Sequence, residues 1–226
     1  MIHTVQHIEA VADLLRPLGE TFVFLGGAVV PLLVDRPETL KIRPTNDVDV
    51  IVDVLTRRAY DVVQQRLRDQ GFQHDVSENA PICRWQAVTA AGTVTVDVMP
   101  LEETILGFSN RWYPYAFETA RPLDPNTPQV RLITAPAFLA TKVQAFLNRG
   151  QGDYYASPDL EDIITLIEGR AQLVSEVQAS TSALQDFVAS AIADMLEDLL
   201  PVVTGHVSQP EQAFIVVERL RQLADL

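Results

Sequence analysis

The sequence predicts an α/β (α+β) protein in which a sheet with flanking helices is followed by a helical C-terminal part. Two observations predict this fold class. Up to residue 133, short apolar runs bounded by turn residues alternate with apolar stripes of helical period. From Thr134 onward only helical patterns remain. We therefore expect an α/β core over residues 1–133 and a helical region over residues 134–226.

Each predicted element of the first part depends on its apolar period and on the residues that bound it. Gly19 and Gly71 end two helices, and Thr56 is a preferred cap for the second of them. In chain order, the predicted elements are a helix over 4–18, a strand over 21–25, a helix over 28–34, a strand over 47–54, a helix over 56–70, a hairpin of strands 82–89 and 93–99 around the turn Ala90-Ala91-Gly92, and a strand over 129–133.

The second part shows the start and stop signals of helices. Thr134 and Pro136 begin a helix that Gly150 ends. Ser157-Pro158-Asp159 begins the next helix with a preferred cap, a proline and an acidic first turn. The rest of the chain is predicted to be helical, with a break over 201–210.

Charge is unevenly distributed along the 226 residues, whose formal net charge is −13. Residues 1–150 hold 14 Lys/Arg and 17 Asp/Glu, whereas residues 151–226 hold 3 and 13. Phosphate contacts supply most non-specific affinity for nucleic acid, so an acidic chain disfavours a long nucleic acid as partner. The acidic region either faces a basic partner or is a solvated helix surface.

The sequence also carries signals about the cellular compartment. No apolar stretch approaches the roughly 20 residues that a membrane helix needs, and the first residues lack the pattern of a secretory signal. The single cysteine, Cys83, cannot form an intramolecular disulfide. We expect a cytoplasmic protein without membrane contact.

Three aspartates stand out because they lie within or beside apolar strands. Asp47 and Asp49 share one face of a strand, about 7 Å apart along it. Asp97 lies in the apolar run TVTVDVM, where an unpaired buried carboxylate would be costly. The pair also fits an ordinary strand entrance, and Asp97 also fits an exposed sheet face. Together, the three carboxylates are the oxygen ligands that Mg²⁺ or Mn²⁺ prefers.

Gly26-Gly27 separates the first strand from a helix, 20 positions before Asp47. Glycines at such a junction let the backbone approach a ligand, and a helix N-terminus offers N–H groups to phosphate. On its own, the same dipeptide is a common tight turn.

This ordered set resembles the nucleotidyltransferase superfamily, whose pattern is an apolar strand, Gly-Gly or Gly-Ser, Asp-x-Asp and a third Asp. The closer resemblance is to AbiEii-type nucleotidyltransferases, which include toxins of type IV toxin–antitoxin systems. The matching segments span about residues 22–168. They are the Arg-x-Thr lead-in at Arg43-Pro44-Thr45, the Lys-x-x-Ala-x-x-x-Arg helix from Lys142 to Arg149, and the Asp-x-x-Asp segment at Asp159 and Asp162.

The resemblance implies a nucleotidyltransferase-like mixed sheet and a metal-dependent enzyme. It would move an NMP from an NTP to a hydroxyl acceptor and release pyrophosphate. Asp47, Asp49 and Asp97 would hold the metal, with Asp97 as a further ligand or as the base, and the helical region would complete the active-site cleft. The implied nucleotide-binding residues are Gly26, Gly27, Arg43, Thr45, Lys142 and Arg149, and Asp162 would align the acceptor or Lys142.

Several alternatives stay open at this point. The acceptor is an RNA end such as that of tRNA, a protein or a small molecule, and an antitoxin is an expected partner if the chain is a toxin. The sequence pattern also allows Lys142 to be an ordinary exposed lysine on a helix. Asp162 could equally be an acidic residue near a helix start that stabilises the helix dipole. Other functions are a non-catalytic nucleotide-binding or scaffold module with the same fold, and an Asp-x-Asp glycosyltransferase.

Overall fold

The computed structural model describes residues 2–90, 92–150 and 152–226, so Ala91 of the predicted hairpin turn lies outside the described residues. Its internal contacts divide the chain into two compact units. The sheet unit comprises Met1–Val29 and Pro44–Thr134, and the helical unit comprises Val30–Arg43 and Ala135–Leu226. Residues 30–43, which the sequence analysis placed in the first part, thus belong with the C-terminal helices.

Seven strands form one sheet within the described residues of the sheet unit, in the order β3-β4-β5-β2-β1-β7-β6. The β1–β2, β3–β4, β4–β5 and β6–β7 pairs are antiparallel, while β1–β7 and β2–β5 are parallel, so the sheet is mixed as expected. The strands are β1 Phe22–Leu25, β2 Asp47–Val52, β3 Gln73–His74, β4 Arg84–Thr89, β5 Gly92–Pro100, β6 Arg121–Pro122 and β7 Val130–Leu132.

Eleven α-helices occur within the described residues. Thr56 accepts a hydrogen bond from the Ala59 N–H, and Ser157 accepts one from the Leu160 N–H, so both predicted caps are confirmed. The helices are α1 Ile2–Leu15, α2 Val30–Leu33, α3 Arg57–Asp69, α4 Glu103–Leu106, α5 Tyr113–Thr119, α6 Ala135–Arg149, α7 Pro158–Gly169, α8 Leu173–Gln178, α9 Ser182–Leu199, α10 Val203–His206 and α11 Ala213–Ala224.

The core of the sheet unit consists of the central strands. All four side chains of β1 are buried, and Val50, Ile51 and Val52 of β2 are fully buried. Tyr60 of α3 is buried as well, and its hydroxyl donates a hydrogen bond of 2.7 Å to the Val98 carbonyl of β5. The two aspartate-bearing strands, β2 and β5, lie side by side between β1 and β4 at the centre of the sheet.

The helical unit has its own core. Nearly every residue of α6 from Ala135 to Val143 is buried, and most of α7 is buried too. Gly169 at the end of α7 lies so close to Leu40 and Val34 that an added Cβ would be 2.4 Å from one and 2.8 Å from the other. This contact explains how residues 30–43 pack with the C-terminal helices.

The predicted and observed elements differ where the local signal is short. The segment predicted as a helix over 28–34 is a 3-10 turn, Gly27–Val29, followed by the four-residue α2. Strands β3 and β6 and helices α4 and α5 were not predicted, because such short elements offer at most one or two repeats of an apolar pattern. Among the described residues, no helix combines the length and the apolar character needed to cross a membrane.

Candidate functional site

The register between β2 and β5 places two of the three singled-out aspartates directly side by side. In this parallel pair Asp49 lies opposite Asp97, and Asp47 lies opposite Thr95. Since side chains alternate along a strand, all three carboxylates belong to one face of the sheet. The expected placement of these aspartates on neighbouring strands and on one face is therefore confirmed.

The three carboxylates differ strongly in their exposure to solvent. The side chain of Asp47, at the start of β2, is 51% exposed. Asp49 is half-buried, and Asp97 retains only 8% of its accessible surface. The gradient follows the position along the strands, because Asp47 is the first residue of β2 while Asp97 lies inside the longer β5. A buried carboxylate requires a positive or hydrogen-bonding partner.

Gly26 lies against the carboxylate of Asp49. A Cβ atom built on Gly26 would be 1.9 Å from Asp49 Oδ2, so a side chain at position 26 would force Asp49 to move. The backbone of Gly26 also has a φ of 72°, in the left-handed region that favours glycine. The first glycine of the Gly-Gly pair thus makes room for an aspartate of the site, a role that the sequence analysis did not anticipate.

Arg84 of β4 is the functional candidate that the sequence analysis missed. Its Nε donates to Asp97 Oδ1 at 2.9 Å and its Nη2 donates to Asp97 Oδ2 at 2.8 Å. The same Nη2 lies 3.8 Å from Asp47 Oδ2. Counting outward from the predicted turn Ala90-Ala91-Gly92 would place Arg84 opposite Val98, one position away from Asp97. The observed register instead pairs Thr89 with Gly92 and Arg84 with Asp97, so the sequence signal for this contact was only approximate.

The electrostatics of this row follow from these contacts. The hydrogen bonds with Asp97, despite partial desolvation, raise the pKa of Arg84 above its ordinary value. Burial, and then the negative charge of Asp97, raises the pKa of the Cys83 thiol to about 12. Cys83 is consequently protonated at neutral pH, which makes it a poor nucleophile.

The donor chemistry of the site fits a hard divalent cation, because three carboxylates share one face. Within the part of the chain that the structure describes, however, no three His, Cys, Asp or Glu side chains are arranged as a ready metal site. Both oxygens of Asp97 bind Arg84 instead. Asp47 with Asp49 is the more accessible pair, and metal binding by all three carboxylates stays a prediction.

A second group of charged residues lies within the helical unit. The ammonium of Lys142 is 2.9 Å from Asp159 Oδ1 and 2.6 Å from Asp162 Oδ2. Arg149 binds Asp159 through two hydrogen bonds, of 2.8 and 3.0 Å. Lys142, Asp159 and Asp162 are each less than a tenth exposed. Lys142 is therefore a buried ion-pair partner, and neither an exposed helical lysine nor an unengaged cation.

The pKa values in this cluster reflect its mutual charge stabilisation. Burial alone would lower the pKa of Lys142, but the charges of Asp162 and Asp159 outweigh it and raise that pKa. Burial alone would raise the pKa of Asp159, yet its bonds with Arg149 and Lys142 lower that pKa overall. Lys142 and Asp159 thus stay ionised across the neutral range.

The remaining predicted residues have definite places. Arg43 is 3.5 Å from Asp162 Oδ2, so within the helical unit it braces that carboxylate. The hydroxyl of Thr45 accepts a hydrogen bond from the Asp47 N–H at 3.3 Å, which shapes the entry into β2. Trp85 and Trp112 are buried. Asp47, Asp49, Asp97, Gly26, Gly27 and Thr45 belong to the sheet unit, and Lys142, Arg149, Asp162 and Arg43 to the helical unit.

Comparisons with known proteins agree with the fold. No protein-family profile matches the chain, and no curated protein matches it. Among solved structures, the chain is similar to an antigenic nucleotidyltransferase-like protein from Paracoccidioides brasiliensis. The TM-score is 0.54 at 19% sequence identity, over 95% of this chain and 97% of that chain. The chain therefore has a nucleotidyltransferase-like α/β fold, as the sequence predicts.

Proposed function

We propose that this protein is a metal-dependent nucleotidyltransferase that transfers an NMP from an NTP to a hydroxyl acceptor and releases pyrophosphate. The observation that carries the proposal is the row formed by Asp49 and Asp97 on neighbouring strands, with Gly26 held against Asp49. The nucleotidyltransferase-like fold supports it. A glycosyltransferase is not proposed, since that fold does not support it.

Each residue of the sheet unit has a role in this proposal. Asp47 and Asp49 would hold Mg²⁺ or Mn²⁺ together with the triphosphate, and Asp97 acts as a further ligand or as the base that takes the acceptor proton. When bound, the cation would stabilise the attacking and leaving oxygens at the α-phosphate. The backbone of Gly26 and Gly27 permits close approach of the phosphates. Thr45 orients the backbone ahead of Asp47.

The family resemblance supplies the finer proposals. We propose an AbiEii-like enzyme whose acceptor is an RNA end, a protein or a small molecule, and a toxin role with an antitoxin as partner. Lys142 and Arg149 are proposed to bind phosphate. Arg149 suits this role better, because its side chain is 72% exposed whereas Lys142 is enclosed by two carboxylates. Arg43 and Asp162, which contact each other, are proposed to support them.

A second candidate function has one observation in its favour. Arg84 occupies both oxygens of Asp97, the residue that would complete the metal ligands. A permanent Arg84–Asp97 pair would suit a nucleotide-binding or scaffold module that has the fold without the transfer activity. Nucleotide binding without transfer, with wild-type protein and Mg²⁺ present, would favour this candidate.

The proposed function is tested by incubating the protein with each labelled NTP, Mg²⁺ and a total cell extract. Label should pass to one fraction of the extract, and EDTA should abolish the transfer. Asp49→Asn should lower the transfer by about a hundredfold or more, because it removes a charged ligand of the metal that stabilises the phosphate charge. Asp53→Asn is the matched control, since this exposed aspartate directly follows β2. Equal loss in both variants, or transfer unaffected by EDTA, would refute the proposal.

A further inference from the structure

Arg84 is a cation bound to Asp97, the third of the carboxylates that are proposed to bind the metal. Three residues on neighbouring strands form a row across the sheet. Asp49 on β2 lies directly opposite Asp97 on β5, and Asp97 lies directly opposite Arg84 on β4. The guanidinium contacts Asp97 through two hydrogen bonds and is 3.8 Å from Asp47. Its single positive charge is thus paired with Asp97 and lies near Asp47, the two carboxylates that flank Asp49 on this face.

The burial of Asp97 explains why such a cation is required. At 8% exposure the carboxylate loses most of its hydration, and an unpaired charge there would destabilise the fold. A bidentate guanidinium is among the strongest partners a carboxylate has. The Arg84 side chain itself is 27% exposed, so it has solvent into which it can move.

A divalent cation and Arg84 cannot both bind Asp97 in the same way. The two hydrogen bonds use both carboxylate oxygens on the side that faces Arg84, and two positive groups a few ångströms apart repel each other. Either the metal binds only Asp47 and Asp49, or Arg84 must leave Asp97 first. Which of these two arrangements occurs sets the concentration of divalent cation at which the site is filled.

We propose that Arg84 is a built-in counter-cation that competes with the divalent metal for Asp97 and is displaced when the metal binds all three aspartates. The inference rests on the proposed metal-dependent function and adds to it a residue that sets the metal affinity. In the metal-free protein Arg84 keeps Asp97 paired. In the metal-bound protein the released guanidinium is left beside the site, suited to bind the phosphates of the nucleotide.

The first test measures Mn²⁺ binding, without nucleotide, to the wild type and to Arg84→Gln. Removing the competing charge should tighten Mn²⁺ binding by about tenfold or more. Asp97→Asn introduced into Arg84→Gln should abolish that gain. Arg16→Gln is the matched control: Arg16 also forms an ion pair, with Asp13, on the surface of the same unit, and its loss should leave the affinity unchanged. Equal or weaker binding by Arg84→Gln would overturn the inference.

A second test uses the wild-type chain, so that it stands even if Arg84→Gln does not fold. The Arg84 Nε–H, bonded to Asp97 at 2.9 Å, should give a protected side-chain signal in ¹H–¹⁵N NMR spectra. Saturating Mg²⁺ should move this signal and speed its exchange with solvent. A signal that stays unchanged while the backbone amide of Asp49 responds would show that Arg84 remains in place, which would overturn the inference.

The outcomes separate this inference from the proposed function. If Mg²⁺-dependent transfer occurs but Arg84→Gln binds Mn²⁺ as the wild type does, the counter-cation role alone is refuted. If neither protein binds Mn²⁺ and no NTP transfers label, both proposals are refuted together.

Discussion

At the scale of single residues, Gly26 is subject to two separate constraints. Its φ of 72° disfavours any residue with a Cβ, and the Asp49 carboxylate fills the space where that Cβ would lie. The second constraint couples the glycine to the chemistry of the site, because Asp49 has to move if position 26 gains a side chain.

Gly26→Ala is therefore expected to lower the free energy of unfolding by about 2–4 kcal/mol, combining backbone strain with overpacking. It should also lower nucleotide transfer in the fraction that stays folded, since Asp49 is displaced. Chemical denaturation and the labelled-NTP assay measure the two effects.

The control for Gly26→Ala is Gly19→Ala, in the same unit. Gly19 has a similar φ of 84°, but nothing lies within 4 Å of its added Cβ. We expect Gly19→Ala to lower the free energy of unfolding by only the backbone strain of about 1–2 kcal/mol and to leave nucleotide transfer unchanged. If the two variants lost transfer equally, the contact between Gly26 and Asp49 would have no functional meaning.

At the scale of secondary-structure elements, the Lys142 cluster joins two helices. Lys142 and Arg149 on α6 bind Asp159 on α7, and Lys142 also binds Asp162 one turn further along α7. From the family pattern alone, replacing Lys142 by alanine would be expected to impair transfer with little effect on folding. The burial of the lysine between two carboxylates changes that expectation.

Lys142→Ala should lower the free energy of unfolding by about 3–5 kcal/mol, because it leaves two buried carboxylates without their shared cation. The urea midpoint followed by far-UV circular dichroism measures this loss. Asn148→Ala, at an exposed position of the same helix, should change the midpoint little. A loss of nucleotide transfer in Lys142→Ala would indicate a phosphate-binding role only if the variant protein is shown to be folded. An unchanged midpoint would contradict the structural role of the pair.

The same cluster predicts a pH dependence of stability. The pKa of Asp159 is lowered from 3.8, so its stabilising effect is present above that pH and is lost as the pH falls through the folded-state pKa. The pKa of Lys142 is raised from 10.5, so its effect is complete below that pH and is lost as the pH rises through the folded-state pKa. The wild-type urea midpoint should therefore fall at both low and high pH. In Lys142→Ala the midpoint should fall less at high pH than in the wild type, because the contribution of Lys142 is already absent.

At the scale of the whole molecule, the chain carries its net negative charge mainly in residues 151–226 and its three aspartates of the candidate site in the sheet unit. A triphosphate added to such carboxylates meets like charge unless a cation is present. Binding of the nucleotide is consequently expected to depend on a divalent metal.

ATP or another NTP should raise the melting temperature of the protein when Mg²⁺ is present and should have little effect when EDTA replaces it. Thermal denaturation with each of the four NTPs measures the shift and ranks the donors. Mg²⁺ without nucleotide is the control for stabilisation by the metal alone. Equal shifts with EDTA and with Mg²⁺ would contradict metal-dependent binding.

The sequence by itself determined those features that depend on local pattern. The apolar periods placed β1, β2, the β4–β5 hairpin, α6 and α7, and the caps Thr56 and Ser157 are as expected. The aspartates could be singled out because an unpaired carboxylate within an apolar strand would destabilise the fold. The alternation of side chains along a strand then predicted that they share one face.

Only the tertiary structure decided the partners of these residues. A pattern along one chain does not state which charges meet once strands and helices pack: Arg84 holds Asp97 across a strand pair, and Asp159 and Asp162 enclose Lys142. The close fit of Gly26 against Asp49 likewise arises from the pairing of β1 with β2. Long-range pairing sets these contacts because burial makes an unpaired charge or a clash too costly to keep.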